Sequence, residues 1–522
     1  MLTGIVRAAP PIPREETLIA WLANNPGTLC YWLDRSDAYT RRFGDLIAES
    51  LAQRDYSAPD TWVPKLAEKW DIDQRQRTFT FHLRHGVKFH DGTPFTADDV
   101  LFAFETLANP KVECGHWAEA LAEMAGQPIK IDQHTVRFQW KKPYFKAFEI
   151  IATVPIFPAA ALRFAPGQED SFNNSTFHRE PIGTGPYKLV EWVQNDKLVL
   201  RRNDDYWGPK PQVKEIRYLI LKDQEAAFQT LLKGDLDVHQ LNAQQWNTLQ
   251  NDPNLRGKFN SQRIARMASF QIYWNNRRPP FDDARVRKAL SHLVPRDRFI
   301  QNVLTGAAEP VTGPFYFKSP SYDGSLAPYA FDPQAAAKLL ADAGWKDTDE
   351  DGFLDKDGKR FEFTFLCTAG VSNWHDLSEM LKEELANAGI VMNIQPVEWA
   401  TLLQRSESRD FDAYVGGGTF DWEVDAYENW HSDMAEKGGN RVGYRNAAVD
   451  KLIMQARQTI DAGQRAGINR QIHKLIYDDQ PCTFLYTPVD PWAWTKHFNI
   501  EFYNYYPSSD LRRVTLNREA GK

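Results

Sequence analysis

Apolar residues recur along the chain with two distinct periods. In Thr78-Phe79-Thr80-Phe81-His82-Leu83 every second side chain is apolar or large, the period of a half-buried strand. Gly86 ends it, and Val87-Lys88-Phe89-His90-Asp91-Gly92-Thr93-Pro94 reads as a further strand and a tight turn. Residues 135–140, 197–201 and 236–238 read as strands in the same way. Between them a period near 3.6 predicts helices. One covers 38–51, with Phe43, Leu46, Ile47 and Leu51 as its stripe. Another starts at Thr96, whose hydroxyl can accept from the first turn's free N–H groups, and buries Val100, Phe104 and Leu107. A third covers 224–233 and stops at Gly234.

From about residue 282 the texture changes. Helices are predicted at 284–293, 296–304, 333–343, 376–388, 447–459 and 464–477, with strands at 361–367, 390–397 and 411–416 among them. Such alternation predicts an α/β lobe on a largely parallel or mixed sheet. The aromatic, strand-like texture returns in Phe498-Asn499-Ile500-Glu501-Phe502-Tyr503, so the tail is expected to rejoin the first domain. No repeat with a period of about 20–50 residues is visible.

A chain of 522 residues suggests about three domains. Its 42% hydrophobic and 25% charged residues exclude collagen-like, low-complexity and disordered classes. The formal charge of −7 is spread over 62 basic and 69 acidic residues with no basic stripe, which argues against a nucleic-acid partner. No apolar run of about 18 residues exists to span a membrane as a helix. The 17 Trp, 19 Tyr and 31 Phe make the chain aromatic-rich, as suits cores and also the walls of ligand clefts. Met1-Leu2-Thr3-Gly4-Ile5-Val6 has no charged stretch followed by a long apolar one, so either the protein is cytoplasmic or a leader has been removed. Cys30, Cys114, Cys367 and Cys482 have no zinc-ligand spacing. They read as buried thiols, with a Cys367–Cys482 pair open if their strands are neighbours.

Most motif-like features have plain readings. His82, His85 and His90 cluster without a carboxylate at ligand spacing and read as exposed polar strand positions. Gly183-Thr184-Gly185-Pro186 lacks the Gly-Lys-Ser/Thr of a phosphate loop, and Pro186 has no N–H, so turn punctuation explains it. No G-x-S-x-G and no supported nucleophile-base set is present, so no enzyme is expected. Asp347, Asp349, Asp351, Gly352 and Asp355 match calcium-loop positions 1, 3, 5, 6 and 9, but Gly358 stands at position 12 where Glu is required. Either an incomplete structural calcium loop or a solvated acidic turn fits. Phe411-Asp412-Ala413-Tyr414-Val415-Gly416-Gly417-Gly418-Thr419-Phe420-Asp421-Trp422 is more suggestive: a strand runs into glycines, then an aromatic, an acid and an aromatic. It reads as a binding rim, with free backbone groups, Asp421 for a cation, and Phe420 and Trp422 as walls. A solvent-exposed loop fits the same residues.

Pro64-Lys65-Leu66-Ala67-Glu68-Lys69-Trp70 followed by 78–100 resembles the signature of family 5 bacterial extracellular solute-binding proteins, the oligopeptide- and dipeptide-binding components of ABC importers. Pro181-Ile182-Gly183-Thr184-Gly185-Pro186-Tyr187, then 280–290, then 439–446 resemble further blocks in the same order. The resemblance implies an α/β, two-lobed periplasmic-binding-protein fold with mixed β-sheets, of the large three-domain type, with a hinge between lobes near 272–278 and 486–491. Domain I would comprise 1–55, 183–274 and 489–522, domain II 56–182, and domain III 275–488. Counted from Glu398-Trp399, which resembles the family's cleft tryptophan, Asp421 falls on the acid that holds a peptide's amino group. Gly417 and Thr419 fall on backbone-pairing positions, as do Ser36 and Ala38 on the other lobe. Val415 replaces the family's carboxylate-pairing arginine and Gly418 its second tryptophan, so a free peptide C-terminus lacks its partner unless Arg405, Arg409 or Arg441 reaches in. The resemblance thus implies a secreted, periplasmic monomer, its signal peptide absent from this sequence, that binds a small peptide and meets ABC permease subunits. It would be no enzyme, bind no nucleic acid, and need no cofactor beyond a structural calcium held by Asp347, Asp349, Asp351 and Asp355. Family members also bind oligosaccharides, nickel complexes, haem and opine-like molecules, and abundant Trp would suit an oligosaccharide.

Overall fold

The chain passes twice between two units: Met1–Ile264 with Pro491–Lys522 forms the first, Ala265–Asp490 the second. The computed structural model describes residues 12–34, 38–75, 77–505 and 509–517. The second passage lies inside the strand Cys482–Thr495, and residues 272–274 lie in the strand Ala268–Trp274 of the second unit.

The first unit's larger sheet is built around Thr17–Leu22. This strand pairs in parallel with Glu215–Ile220, from Thr17↔Glu215 to Leu22↔Ile220, and with Val238 at Ala20. Lys197–Arg202 and Tyr187–Val193 extend the sheet on one side, and Trp492–Trp494 pair with Val238–Gln240 on the other. Leu18, Ala20 and Leu22 enter a core with Phe43, Tyr187 and Ile216, while Ile19 faces Phe228, Leu231 and Leu249. Burial on both faces explains why Thr17-Leu18-Ile19-Ala20-Trp21-Leu22 shows no alternation. A separate four-stranded antiparallel sheet orders Ala67–Asp73, Thr78–Leu83, Thr135–Gln139 and Ile129–Asp132. Its core draws on residues from Cys30 to Phe177. The helix Ala97–Leu107 covers it and starts as expected: Asp98 N donates to Thr96 Oγ1 at 3.3 Å, and Thr96 N to the Asp99 carboxylate at 2.9 Å.

Three expectations for this unit need correction. The helix predicted over 38–51 ends at Ile47, because the backbone of Ser50 and Leu51 is taken by Leu66 and Ala67 at 3.1 and 3.0 Å. Gly183 and Gly185 are not turn punctuation. Gly185 N donates to Ile47 O at 2.9 Å, and a Cβ on Gly183 would sit 1.9 Å from that oxygen, so only glycine permits this backbone-on-backbone approach. His90 is no exposed strand residue. Its amide donates to Gly183 O at 2.8 Å and its Nε2 bonds Gly185 O at 2.9 Å, so it clamps the same glycines. The aromatic tail keeps only a short strand, Phe498–Asn499, and does rejoin the first unit.

The second unit's sheet runs in the order Val391–Val397, Glu362–Thr368, Ala413–Thr419, Ala268–Trp274, Cys482–Thr495. The first three strands are parallel and the rest antiparallel, a mixed sheet as expected. Ala284–Leu293 falls on its predicted bounds, with Asp283 capping its start, and Ser372–Asn387 is one turn longer than predicted. Cys367 and Cys482 are buried thiols: their strands are separated by two others, which rules out the pair. Among the described residues no helix is long and apolar enough to cross a membrane.

His473 is fully buried in this unit and is held as a neutral imidazole. Asp323 N donates to its Nδ1 at 3.0 Å, which leaves Nε2–H for Thr312 Oγ1 at 3.1 Å. Burial pushes its pKa from 6.5 down to about 4, and burial does the same to His239. The unfolded chain therefore takes up protons first on acidification: the stability that depends on the neutral ring is complete above pH 6.5 and is lost between there and about pH 4. Urea unfolding should show the second unit weakening over this window by up to about 1.4 kcal/mol per pH unit for His473, and His473→Gln should flatten that slope.

Candidate functional site

The strand Ala413–Thr419 pairs with Ala268–Trp274 along its whole length, from Thr419↔Ala268 to Ala413↔Trp274. Beyond it, Phe420 N donates to Met267 O, directly opposite, at 2.8 Å. Hydrogen-bonded pairs in an antiparallel ladder alternate, so residues 418, 416 and 414 spend their peptide groups on the same neighbour. Gly417 and Thr419 turn theirs to the opposite edge. There Glu362–Thr368 pairs only at Phe365↔Ala413 and Leu366↔Tyr414. The N–H and C=O groups of Gly417 and Thr419 thus form a short strand edge that no strand of this unit covers.

Local packing explains the glycines. A Cβ on Gly417 would lie 2.3 Å from Phe270 Cδ1 and 2.4 Å from Ser269 O, because the Phe270 ring leans over the bare Cα. Phe270 is itself held between Trp374 and Tyr486, at 5.6 and 5.2 Å between centroids. Below it, Tyr273 and Tyr414 stack across the two strands at 4.4 Å. Gly418 has open space where a Cβ would go and is exposed with Thr419.

Asp421 is exposed immediately beyond the strand, between half-buried Phe420 and Trp422, and the Trp422 ring meets Tyr316 edge-on at 6.2 Å. The loop then anchors through two ion pairs, Glu423 with Arg465 and Asp425 with Arg457 at 3.0 Å. These four residues, from three separate segments, were not singled out by any local pattern. Trp399 opens the helix Trp399–Glu407 after the edge strand Val391–Val397, with its side chain 46% exposed. In the sheet order one strand, Glu362–Thr368, lies between Val391–Val397 and Ala413–Thr419. Ala38 begins the helix Ala38–Ile47 of the first unit, and Ser36 lies outside the described residues.

The three arginines considered for a peptide carboxylate have internal tasks. Arg405 donates to Asp410 O at 2.9 Å and Gln395 Oε1 at 3.2 Å. Arg409 holds Gly438 O at 2.5 Å and Ala435 O at 3.3 Å, and Arg441 reaches Glu407 at 3.1 Å and Ser406. In the acidic loop, carboxylate oxygens of Asp347, Asp349 and Asp355 lie within 4.8 Å of one another. Asp351, expected in that ligand set, pairs with Arg360 instead, which draws it out of the group. Asp347 accepts from Gly352 N at 3.0 Å and Asp355 from Thr348 N at 2.9 Å, so much of the loop's negative charge is met by its own backbone. His82 bonds Asp71 at 2.8 Å and His85 lies against His134, with ring centroids 3.9 Å apart.

Residues 61–438 match the family described as bacterial extracellular solute-binding proteins, family 5 Middle. The chain is 34% identical over 445 residues to the oligopeptide-binding protein AppA of Bacillus subtilis, covering 83% of this chain and 79% of that protein. It is 28% identical to a di/tripeptide-binding protein 2 of Pseudomonas aeruginosa, over 88% of this chain and 87% of that one. The solved structure of B. subtilis AppA in complex with a nonapeptide superposes with a TM-score of 0.77 at 29% identity, covering 96% of this chain and 99% of that one. The mixed α/β architecture is the one these structures share.

The uncovered edge makes a specific demand on Gly417. Gly417→Ala should destabilise the second unit by about 1–3 kcal/mol through overpacking against Phe270, while Gly418→Ala should leave the urea midpoint essentially unchanged.

Proposed function

Because the chain belongs to family 5 of the bacterial extracellular solute-binding proteins, we propose that it captures a short peptide in extended form and passes it unaltered to the membrane permease of an ABC importer. The observation that carries this reading is the edge at Gly417 and Thr419. An extended peptide can add itself there as a further strand, meeting both residues' N–H and C=O groups with its own. Backbone pairing of this kind is indifferent to side chains, which suits a transporter of mixed peptides. Asp421, two residues past the edge, is placed to receive the peptide's α-amino group, and the rings of Phe420 and Trp422 flank it. The relatives named for peptides support a peptide over the oligosaccharide that the aromatic content alone left open. The family's extracellular setting supports a periplasmic location, and the protein acts there as a monomer that changes nothing in its ligand.

The reading is tested by calorimetric titration with matched peptides. Asp421→Ala should weaken a peptide with a free amino group by tenfold or more, the loss of a charged hydrogen bond worth about 1.5–3 kcal/mol. The N-acetylated form of that peptide should bind both proteins alike. Equal losses for the two peptides would take Asp421 out of the amine-binding role. A peptide N-methylated along its backbone should lose affinity for both proteins, since it can no longer complete the ladder. Mass spectrometry of the recovered peptide should find it intact.

A further inference from the structure

The first unit contains a buried lysine whose ammonium, among the described residues, is met only by a long ion pair with Glu49. Lys65 follows the strand Trp62–Pro64, its side chain only 16% exposed, and its nearest carboxylate oxygen, Glu49 Oε1, is 3.9 Å away. Glu49 is nearly sealed from solvent and accepts three hydrogen bonds from neutral groups. Its Oε1 accepts from the Tyr206 hydroxyl at 2.7 Å, and its Oε2 from Trp207 Nε1 at 2.7 Å and Thr184 Oγ1 at 3.2 Å. Three neutral donors thus share the acid with the Lys65 ammonium, whose own N–H groups lie beyond hydrogen-bond reach of it.

Lys65 lines a cavity of about 180 Å³ together with Tyr206, Arg512, Arg513, Arg54 and Asp55, among others. This is more than ten times the roughly 10–15 Å³ that one water requires. The cations outnumber the free acids on its wall. Asp510 is held bidentately by Arg512 at 2.7 and 2.9 Å, Arg54 is paired with Glu149 at 2.7 Å, and Asp55 is occupied by Ser57 N and Oγ at 2.9 and 2.6 Å. Arg512 is fixed further by Gln53 at 2.9 Å, so the cationic wall is rigid, while half-exposed Arg513 stands at the cavity's solvent side, 3.5 Å from Asp510.

We propose that this cavity is a binding site for a small oxyanion of the phosphate or sulfate class, received by Lys65 Nζ with Arg512 and Arg513 as its cationic wall. Each oxygen of such an anion accepts more than one hydrogen bond, which suits a cavity lined by an ammonium and by the guanidinium groups of Arg512 and Arg513. Burial and the charge of Arg512 push the Lys65 pKa from 10.5 down to about 8, against the opposing charges of Glu49, Asp45 and Asp510. A bound anion removes that penalty. The site lies in the first unit alone and does not involve the strand edge at Gly417, so it stands or falls separately from peptide binding.

The test is the thermal unfolding midpoint at pH 7 in sodium phosphate, sodium sulfate and sodium chloride at equal ionic strength. Phosphate or sulfate should raise the midpoint above chloride in proportion to the logarithm of concentration; which anion does so first tells the two apart. Lys65→Met should abolish the increment, and Arg513→Gln should weaken apparent anion affinity at least threefold with the chloride midpoint unchanged. Equilibrium dialysis with radiolabelled phosphate or sulfate should return one site per chain, and it decides with Arg513→Gln if Lys65→Met does not fold. Midpoints that follow ionic strength alone, an increment that survives in either variant, or no stoichiometric binding would each overturn the proposal.

Discussion

The strand Ala413–Thr419 is held along one side for seven residues and along the other for two. Every peptide group must find a partner or face water, so this mismatch leaves a stretch of backbone open on one side. A long uncovered edge would invite pairing with other chains. Here the exposed portion is confined to Gly417 and Thr419, with the acid Asp421 directly beyond it. An edge of two residues is too short to template a sheet.

Rigidity of that edge comes from elsewhere in the unit. The Phe270 ring covers Gly417 and is wedged by Trp374 and Tyr486, while Tyr273 and Tyr414 lock the two strands face to face. The loop carrying Asp421 is tied to the helices Ala447–Gln458 and Ala462–Asp479 by Asp425–Arg457 and Glu423–Arg465. Arg405, Arg409 and Arg441 spend their donors on carbonyls and on Glu407, fixing the segment 435–441 to the helix Trp399–Glu407.

Elements with local causes were legible in the chain. The helices Gln224–Lys233 and Ala284–Leu293 fall on their expected bounds because the residue before each, Asp223 or Asp283, accepts from the first turn, and both stop where the apolar stripe ends. Strands flanked by solvent on one face, such as Thr78–Leu83, announce themselves by alternation. Thr17–Leu22 gave no such signal because it is buried on both faces. The roles of Gly183, Gly185 and His90 were hidden for a different reason: they are set by Ile47, a residue some hundred and forty positions away in the chain from the glycines, and no local pattern encodes that contact.

The same contrast separates the two motif-like segments. In the acidic loop, function would rest on side chains, and a side chain can be captured by any neighbour; Arg360 takes Asp351 although the spacing of aspartates is intact. At Gly417 and Thr419 the groups on offer are backbone, and a strand's two-residue period dictates which edge they face once a single pairing is known. The hydrogen bond from Phe420 N to Met267 O is enough to orient both. Backbone chemistry can therefore be carried from a resemblance to a position with only the register in doubt, whereas Asp421 depends on a loop whose anchors, Arg457 and Arg465, come from distant helices. On the proposed reading the edge and the acid are therefore separable in energy as well as in origin: a change that frees the loop would reach the peptide's amino end and leave the ladder at Gly417 and Thr419 able to form.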